Sequence, residues 1–336
     1  MFRDKKVLGI DIGSQNIKLA LIKQGSQPEL MAWAMVPTPI NCVQDGMILN
    51  NQALAEEIKK VIKEHKLTAQ KAAVNLNASS IVVRELRLPA LEDKEIKPAV
   101  RFGLSQSFPD IIQTHSLAFK IYNRTSESLE GITTLCPRKI IEDYQELAEK
   151  ADISLKYLDV NANSLAKAYK SFVDFPQTGN SALLVDIRTN MSQVNVLQEG
   201  KIILSRNVTG GLASVDSLVE KYFNMAPEEI AAARLNGYQN LSLGREEIDA
   251  CIRIGYAFLE DLIRQTLEFC SYNKVKEGIN SISLCGSGSV FPGLESYFSA
   301  IFNLPVHLAQ AKHVSPEASE QFYILLPAIG AALRED

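Results

Sequence analysis

Asp11 is the first residue of the sequence whose type and position suggest chemistry. It ends an apolar strand pattern in GIDIGSQNIK (residues 9–18), and the two-residue strand period gives that strand an apolar opposite face. Gly13 allows a tight turn whose N–H groups converge on an anion, and Ser14 adds a hydroxyl donor. Lys18 brings positive charge to the same anion, whereas Asp11 would repel it unless a divalent cation lay between them. The segment therefore predicts a phosphate site with Mg²⁺, and a plain hairpin with an exposed aspartate is the competing interpretation.

A similar segment, LVDIRTNMSQVNVL (residues 184–197), occurs in the second half of the chain. It repeats the Asp-Ile pair at Asp186 and carries hydroxyl groups at Thr189 and Ser192. One such hairpin decides little, but two of them predict two acidic strand ends that face each other across a cleft. That geometry would enclose a phosphate-bound Mg²⁺ from both sides, so Asp11 and Asp186 are the candidate metal-facing residues.

Two glycine-rich junctions follow the hairpins. Gly210 and Gly211 precede a helix in VTGGLASVDSLVEKYF, where they would form the far wall of a nucleotide cleft. Gly286, Ser287 and Gly288 follow a strand in LCGSGSV, where the absence of side chains lets a ribose or a flat ring approach the backbone. Ordinary turn chemistry explains each junction alone at least as well, and the position of the second one after both hairpins favours a nucleotide.

The bulk composition disfavours several classes of protein. A chain of 336 residues with 46% apolar content can bury the cores of two lobes. A net charge of −4, from 35 basic and 39 acidic residues, gives no long-range field that would attract nucleic acid. Five widely spaced cysteines match neither a disulfide framework nor a zinc cluster, and they predict reduced, mostly buried thiols. The N-terminal MFRDKK leads directly into a strand pattern without an apolar signal region, which predicts a cytoplasmic protein.

The hydrophobic periodicity predicts an α/β fold whose two halves begin in the same order. In the first half it predicts strands at 7–12, 17–23, 29–37, 71–76, 80–89, 115–124, 131–137 and 154–160, with helices at 51–65, 93–107 and 138–152. In the second half it predicts strands at 181–187, 192–197, 201–208 and 281–286, with helices at 213–224, 227–235 and 245–272 and a further helix from Gly293. The turn-rich segment 174–180 is the predicted boundary between the lobes.

These motifs occur in the order found in one superfamily. The Asp11 turn with Lys18, the second Asp hairpin, the Gly-Gly helix entry, the glycine-rich loop and a terminal AIGAALRE helix resemble the actin, Hsp70 and sugar-kinase superfamily. Within it, LRLPALEDKEIKPAV (86–100) and CPRKIIEDYQELAEKADISLKYLDVNANSLAKAY (136–169) resemble the PilM family of type IV pilus assembly. The resemblance runs nearly from end to end. It implies an actin-like (ribonuclease H-like), two-lobed ATPase fold with the inserted subdomain that PilM shares with the division protein FtsA.

The resemblance also implies a domain layout and a nucleotide site. The first lobe would comprise 1–77 and 156–178 with a terminal helix at 327–336, the inserted subdomain 78–155, the second lobe 179–210 and 275–326, and a further subdomain 211–274. ATP with Mg²⁺ would lie between the lobes, and Asp11 and Asp186 would face the metal, mostly through water. The nucleotide contacts would come from Asp11, Gly13, Ser14, Gln15, Asn16, Lys18, Asp186, Gly210, Gly211, Arg234, Gly286, Ser287 and Gly288.

The partner that the resemblance implies is a peptide. It is the short cytoplasmic N-terminal segment of a PilN-like inner-membrane protein, bound in a groove between the inserted subdomain and the first lobe. Other inner-membrane components of the pilus would be further partners, and self-association stays open. Attachment to the membrane would then be indirect, at the cytoplasmic side and through the partner, and nucleic acid would not be bound.

Four positions depart from the family pattern. Arg188 stands where the second hairpin usually carries glycine, and it either supplies charge to a phosphate or is exposed, with exposure favoured. Asn161 replaces an acid and cannot act as a general base for water, so slow hydrolysis is predicted and no catalytic residue is assigned. Ala231 replaces an acid near the adenine, and Arg234 replaces a lysine. These departures bear on the nucleotide site and not on the fold.

Two other functions fit the same fold. A small-molecule kinase or phosphotransferase would need an acid or base beside the γ-phosphate, and the sequence offers no obvious candidate. An FtsA-like, filament-forming tether would carry a terminal amphipathic helix with basic and aromatic residues, whereas this sequence ends with ALRED directly after the predicted last helix. The favoured interpretation is an adaptor whose ATP orders the partner groove instead of driving turnover.

Overall fold

The computed structural model describes residues 6–107, 111–173, 181–234, 238, 244–272 and 278–334. The strands are β1 (Lys6–Ile12), β2 (Asn16–Lys23), β3 (Glu29–Pro37), β4 (Val43–Gln44), β5 (Met47–Ile48), β6 (Ala72–Leu76), β7 (Val82–Pro89), β8 (His115–Arg124), β9 (Ser128–Pro137), β10 (Leu155–Val160), β11 (Ser181–Ile187), β12 (Met191–Gln198), β13 (Lys201–Thr209), β14 (Ile279–Cys285) and β15 (Val306–Leu308). The helices are α1 (Asn51–Glu64), α2 (Asp93–Ser107), α3 (Ile111–Thr114), α4 (Arg138–Lys150), α5 (Asn161–Phe172), α6 (Leu212–Phe223), α7 (Pro227–Arg234), α8 (Arg245–Gly255), α9 (Ala257–Tyr272), α10 (Leu294–Phe302) and α11 (Pro316–Ala332).

The two predicted hairpins begin two sheets of the same topology. The first sheet has the strand order β10-β6-β1-β2-β3, and the second has the order β13-β12-β11-β14-β15. In each sheet three consecutive strands form an antiparallel meander, and two later strands add in parallel beside the first strand. The carboxyl ends of β1, β6 and β10 therefore lie at one edge of the first sheet, and those of β11 and β14 lie at one edge of the second. A cleft at those ends is where open α/β sheets bind ligands.

Two helices, α5 and α11, fill the space between the sheets. Their core takes Val7 from the first sheet and Leu184 from the second, so both sheets bury a face against the same pair of helices. The approach is close enough to require glycine. A Cβ on Gly9 would lie 1.9 Å from the carbonyl oxygen of Ala328, and one on Gly330 would lie 1.7 Å from that of Ser164.

Each sheet covers its outer face with amphipathic helices. On the first sheet these are α1 and α4, which share one core with Leu8 and Ile10. Helix α1 begins where the Asn50 side chain accepts a hydrogen bond from the Ala53 N–H at 3.1 Å. On the second sheet the covering helices include α6, α8, α9 and α10. The alternation of buried faces that was predicted for β1 is confirmed.

The inserted region forms a separate antiparallel sheet, β7-β9-β8, with its own small core against α2. Helix α4 follows in sequence but packs into the core of the first lobe, against α1. The predicted segment 78–155 therefore contains both the small sheet and a helix of the first lobe.

Several elements differ from those expected. The predicted helix at 245–272 is two helices that meet at Tyr256, and the terminal helix begins at Pro316 instead of 327. Helix α5, the short strands β4 and β5, and β15 were not expected. The predicted boundary at 174–180 lies outside the described residues. All five cysteines are free and buried, as predicted. Among the described residues, no helix is long and apolar enough to cross a membrane.

Candidate functional site

Asp11 is fully buried at the end of β1 and is held by side chains of its own lobe. The Lys18 Nζ atom, on the paired strand β2, donates to Asp11 Oδ2 at 2.8 Å. The Asn75 amide, directly opposite Asp11 in the parallel register of β6, donates to Oδ1 at 2.8 Å. Lys18 was predicted to face a phosphate, and in this structure its charge instead faces Asp11.

Arg188 reaches Asp11 from the second lobe. Its Nη2 atom lies 3.0 Å from both Asp11 Oδ1 and Asp11 Oδ2, and only 14% of its side chain is exposed. Its Nη1 and Nε atoms donate at 2.8 and 3.2 Å to Asn77, once that amide is oriented with its oxygen toward the guanidinium. The expectation that Arg188 is exposed is therefore wrong. The Arg188 side chain enters the cleft because its ion pair with the buried Asp11 carboxylate is stronger than its hydrogen bonds to water would be. The hairpin turn directs the side chain toward that carboxylate.

Asp186 lies in the equivalent position at the end of β11 and has different partners. Its Oδ2 atom accepts from the Asn161 amide at 2.8 Å, and the same amide donates to Gln193 Oε1 at 3.0 Å. Within the described part of the chain, Asp186 Oδ1 is buried without a hydrogen-bond partner. Gly286 closes over it: its φ is +86°, and a Cβ there would lie 2.4 Å from Oδ1.

The two aspartates are opposite in their electrostatics. Burial alone would raise the pKa of Asp11, but the charges of Arg188 and Lys18 outweigh burial and hold that pKa well below its usual range. Burial also raises the pKa of Asp186, where Arg188 and the Asn161 hydrogen bond only partly offset it. Asp11 is therefore a firmly ionised, paired carboxylate, whereas Asp186 is a carboxylate whose charge is poorly compensated.

The cleft between the hairpins brings together most of the predicted residues. Those that line it are Gly13, Ser14, Gln15, Asn16, Lys18, Asp186, Gly286 and Ser287, together with Asp45, Gly46, Asn77 and the Arg188–Met191 turn. Its cavity volume is about 70 Å³. Pockets for small ligands commonly hold roughly 300–1,000 Å³, so this cavity by itself holds only part of a nucleotide.

The turn after Asp11 is tied by its own hydrogen bonds. The Gly13 N–H donates to the Asn16 carbonyl at 3.0 Å, and the Gly13 carbonyl accepts from Thr38 Oγ1 at 2.7 Å. The Gly13 N–H was expected to join a group of backbone donors that binds an anion. In this structure it instead donates to a carbonyl of the turn.

The remaining predicted glycines lie behind the cleft wall. A Cβ on Gly211 would lie 2.0 Å from the Arg188 carbonyl oxygen, so this glycine lets the helix α6 entry pack on the second turn. Gly210 donates its N–H to Asn190 in the same turn, at 2.8 Å. Gly288 is buried, and its carbonyl accepts from the Tyr256 hydroxyl at 2.8 Å. Arg234 ends α7, and its side chain, like that of Ala231, lies outside the described residues.

Asn75 and Asn77 are site residues that the sequence interpretation missed. Both lie at the carboxyl end of β6, in the segment AVNLN, next to Asp11 on β1. Asn161 follows β10 and links the two lobes, because its side-chain oxygen Oδ1 accepts from the Asn75 amide at 3.1 Å while its own side-chain amide donates to Asp186. The signal was present: polar residues end three parallel strands of one sheet, and such ends meet at one edge.

The residues of this cleft do not fit Mg²⁺ as arranged. Mg²⁺ prefers oxygen ligands at about 2.0–2.1 Å and keeps several waters. Both oxygens of Asp11 are already engaged by Lys18 and Arg188, and a metal placed beside Asp186 would also face the charge of Arg188. No group of three or more histidine, cysteine, aspartate or glutamate side chains that could hold a metal occurs in the described ranges. The geometry therefore offers no direct ligation of a metal by Asp11, and the role of Asp11 and Asp186 in facing a metal through water stays a prediction.

Two meander-based sheets of identical order around a shared pair of helices, with an aspartate hairpin from each, define the class of actin-like ATPase folds. Solved structures agree. Ethanolamine utilization protein EutJ from Carboxydothermus hydrogenoformans has a TM-score of 0.59 at 13% identity, covering 97% of this chain and 88% of that one. MreB5 of Spiroplasma citri, solved with ADP, has a TM-score of 0.54 at 13% identity, covering 97% of this chain and 94% of that one.

A narrower match identifies the family. The chain belongs to the family of type IV pilus assembly protein PilM, which matches residues 9–334. A structure described as a PilM-PilN type IV pilus biogenesis complex has a TM-score of 0.84 at 22% identity and covers 98% of each chain. The fold class and the family predicted from the sequence are confirmed.

Proposed function

We propose that this chain is an adaptor of a type IV pilus or related secretion machinery that binds the cytoplasmic N-terminal segment of a PilN-like inner-membrane protein. The observation that carries the proposal is the family match over residues 9–334. The similarity to a protein solved in a PilM-PilN complex, over 98% of both chains, supports the choice of partner. The chain would then lie at the cytoplasmic face of the membrane and be attached through that partner.

The surface proposed for the partner is the junction of the first lobe with the inserted subdomain. Three exposed apolar side chains lie on the loop around the β4–β5 hairpin: Ile40 is 89% exposed, Met47 47% and Leu49 56%. The same hairpin is tied to the start of the inserted subdomain, because Asp45 accepts from the Ser79 N–H at 3.0 Å. Exposed apolar side chains held on an ordered hairpin are typical of a surface that binds a peptide.

A titration of the PilN-like N-terminal peptide into the full chain tests this proposal. We expect a dissociation constant on the order of micromolar, and a loss of at least about tenfold in affinity when Met47 and Leu49 are both replaced by aspartate. The matched control is Ile254→Asp, which places the same charge on an apolar side chain that is 64% exposed on α8 of the second lobe. Absence of peptide binding, or equal losses in the variant and its control, would overturn the proposal.

The cleft is the proposed nucleotide site of the adaptor, and ATP is the proposed nucleotide. The fold class supports a nucleotide. The Gly13–Asn16 turn would face the phosphates, and Gly286 and Ser287 would approach the ribose. Lys18 lines the same cleft and pairs with the buried Asp11. Further contacts to the nucleotide, from behind or beside the cleft wall, are proposed for Gly210, Gly211, Gly288 and Arg234. The cleft residues support the nucleotide and not its Mg²⁺, because Arg188 already neutralises Asp11.

Hydrolysis by this cleft is proposed to be slow. The group that bridges Asp186 and Asn75 is the Asn161 amide, and an amide cannot accept a proton from attacking water. Phosphate release measured with excess ATP should stay near that of a blank without protein. Rapid ATP consumption with a small-molecule acceptor would instead favour a kinase on the same fold.

A further inference from the structure

Arg188 is a residue of the second hairpin whose charged side chain crosses between the lobes. It starts from the turn after β11 and contacts two residues of the first lobe, Asp11 and Asn77. It also lies 3.4 Å from the Asn161 oxygen, through Nη1. We propose that Arg188 is a resident cation that closes the cleft in place of a nucleotide-bound metal, so that the closed form of this chain needs neither ATP nor Mg²⁺.

The charges of the cleft support this assignment. Asp11 and Asp186 supply two negative charges, and Lys18 and Arg188 supply two positive charges, so these four side chains are balanced. A free divalent cation added to this set, without the phosphates of a nucleotide, would leave an excess of two positive charges in a buried site. Buried ions are stable only when they are paired and hydrogen-bonded, and Arg188 meets that condition with Asp11 and Asn77.

The space in the cleft leads to the same conclusion. A cavity of about 70 Å³ is smaller than a nucleotide requires. Because the guanidinium spans the gap between Asp11 and its own hairpin, the lobes cannot separate while the ion pair is formed. A nucleotide must therefore displace Arg188 from Asp11. Its apparent affinity is reduced by the fraction of molecules that are open.

The closed cleft continues into the proposed partner surface. Asn77 accepts from Arg188 and directly precedes the inserted subdomain. The β4–β5 turn rests on Asn77, since a Cβ on Gly46 would lie 2.2 Å from the Asn77 carbonyl oxygen. The neighbouring Asp45 bonds Ser79, and Met47 follows in the same hairpin. Arg188 thus holds in place the residues that present the apolar loop, and this part of the inference rests on the proposed function.

The decisive experiment compares nucleotide binding by the wild-type chain, Arg188→Gly and a control, with and without Mg²⁺. A fluorescent ATP analogue is the probe. We expect Arg188→Gly to bind the analogue at least about tenfold more tightly than the wild type, and only this variant to gain affinity from Mg²⁺. The control, Arg253→Ala, removes an exposed arginine of α8 and should match the wild type. Equal affinities for the wild type and Arg188→Gly, or tight Mg²⁺-dependent binding by the wild type, would overturn the inference.

A second measurement keeps the inference falsifiable if Arg188→Gly folds poorly. Hydrogen exchange of the wild-type segment 186–191 should change by less than about twofold when Mg-ATP is added, because the cleft is already closed. An increase in protection of tenfold or more would show that the nucleotide closes the cleft, and the inference would fail. Arg188→Gln, which keeps most of the side-chain length without the charge, should show faster exchange in the same segment.

The peptide titration separates this inference from the proposed function. The wild type should bind the PilN-like peptide equally with and without Mg-ATP, and Arg188→Gly should bind it only with Mg-ATP. Wild-type binding that requires Mg-ATP would overturn the inference and leave the adaptor function intact. If no variant binds the peptide, the proposed function fails, and the nucleotide titration still decides the role of Arg188.

Discussion

The hairpins of the two lobes share a topology and differ in what they do with charge. In the first hairpin, Asp11 is surrounded by donors and is stabilised in its ionised form. In the second, Asp186 keeps one buried oxygen without a partner among the described residues, while Arg188 of that hairpin serves the opposite lobe. The comparison shows that one backbone frame can build a compensated and an uncompensated carboxylate. The side chains that the neighbouring strands and the opposite hairpin supply decide which one results.

The largest effect that would break this contrast is expected from Asp11→Asn. The substitution keeps the shape of the side chain but leaves Lys18 and Arg188 without their carboxylate. We expect the free energy of unfolding to fall by about 3–5 kcal/mol, measured by chemical denaturation at neutral pH. Asp152→Asn is the control, because that side chain is 81% exposed and pairs only at the surface with Lys59. A loss as small as that of the control would show that Asp11 is not the anchor of the cleft.

A smaller loss is expected from Asn161→Asp. The new carboxylate would replace the amide that donates to Asp186 at 2.8 Å and would face that carboxylate directly. We expect a destabilisation of about 2 kcal/mol at neutral pH that shrinks as the pH falls and one of the two acids takes up a proton. The comparison variant is Asn163→Asp, whose neighbour Asp159 is already paired with Lys167. A loss that is independent of pH would contradict the charge-based explanation.

Asp186→Asn should act in the opposite direction from Asp11→Asn. It removes a buried, poorly compensated charge, so we expect a gain of about 1 kcal/mol in unfolding free energy at neutral pH. The folded-state pKa of Asp186 is raised, so its ionisation costs stability at high pH, and this cost disappears as the pH falls through that pKa. The gain should therefore vanish toward acid. The folded-state pKa of Asp11 is lowered, so its contribution persists down to the usual aspartate range and is lost only below it.

Denaturation curves of the wild type and both variants from pH 7 to pH 3 measure this difference. The gap between the wild type and Asp186→Asn should shrink as the pH falls through this range, whereas most of the gap for Asp11→Asn should remain at pH 3, because the folded-state pKa of Asp11 lies well below the usual aspartate range. Gaps that close together would show that the two carboxylates share one environment.

The smallest effects concern the turns themselves. Thr38 Oγ1 donates to the Gly13 carbonyl at 2.7 Å, and Ser192 Oγ donates to the Gly210 carbonyl at 3.0 Å beside the second turn. Thr38→Val and Ser192→Ala should each lower the unfolding free energy by about 0.5–1.5 kcal/mol. Thermal denaturation of both variants would show whether the turns are equally dependent on their hydroxyl groups. A loss in only one variant would sharpen the contrast between the hairpins.

Most of the fold could be predicted because its strands carry local signals. The meanders β1–β3 and β11–β13 follow from apolar periodicity and turn residues, within a few positions of the predicted ends. Helix α5 was missed because both faces are buried: Ala162, Leu165 and Ala168 all lie in the central core. Its polar residues Asn161, Ser164 and Lys167 are buried as well, so the polar positions of this segment do not mark a solvent-facing side.

The site was predicted only in part, because some of its partners lie far apart in the sequence. Asp11, Lys18 and Asp186 are recognised from short segments, and they do meet at the cleft. The destination of Arg188 was wrong because its partner lies 177 positions away, and nothing local indicates which carboxylate a long side chain will reach. Asn75 was missed although its register opposite Asp11 follows from parallel pairing. The position of each of these residues along its strand could be predicted from the sequence, whereas the pairing of side chains between the lobes could not.

The close fit of α11 between the sheets has a consequence for synthesis of the protein. Gly9 packs against the Ala328 carbonyl, which lies far from it in sequence. The interior of the first lobe therefore cannot be completed before α11 has been synthesised, and the apolar inner face of its sheet stays uncovered until then. Contacts of such long sequence separation slow folding and prolong the exposure of surfaces that aggregate. A ribosome-bound chain lacking α11 should accordingly depend on chaperones more than the released protein does.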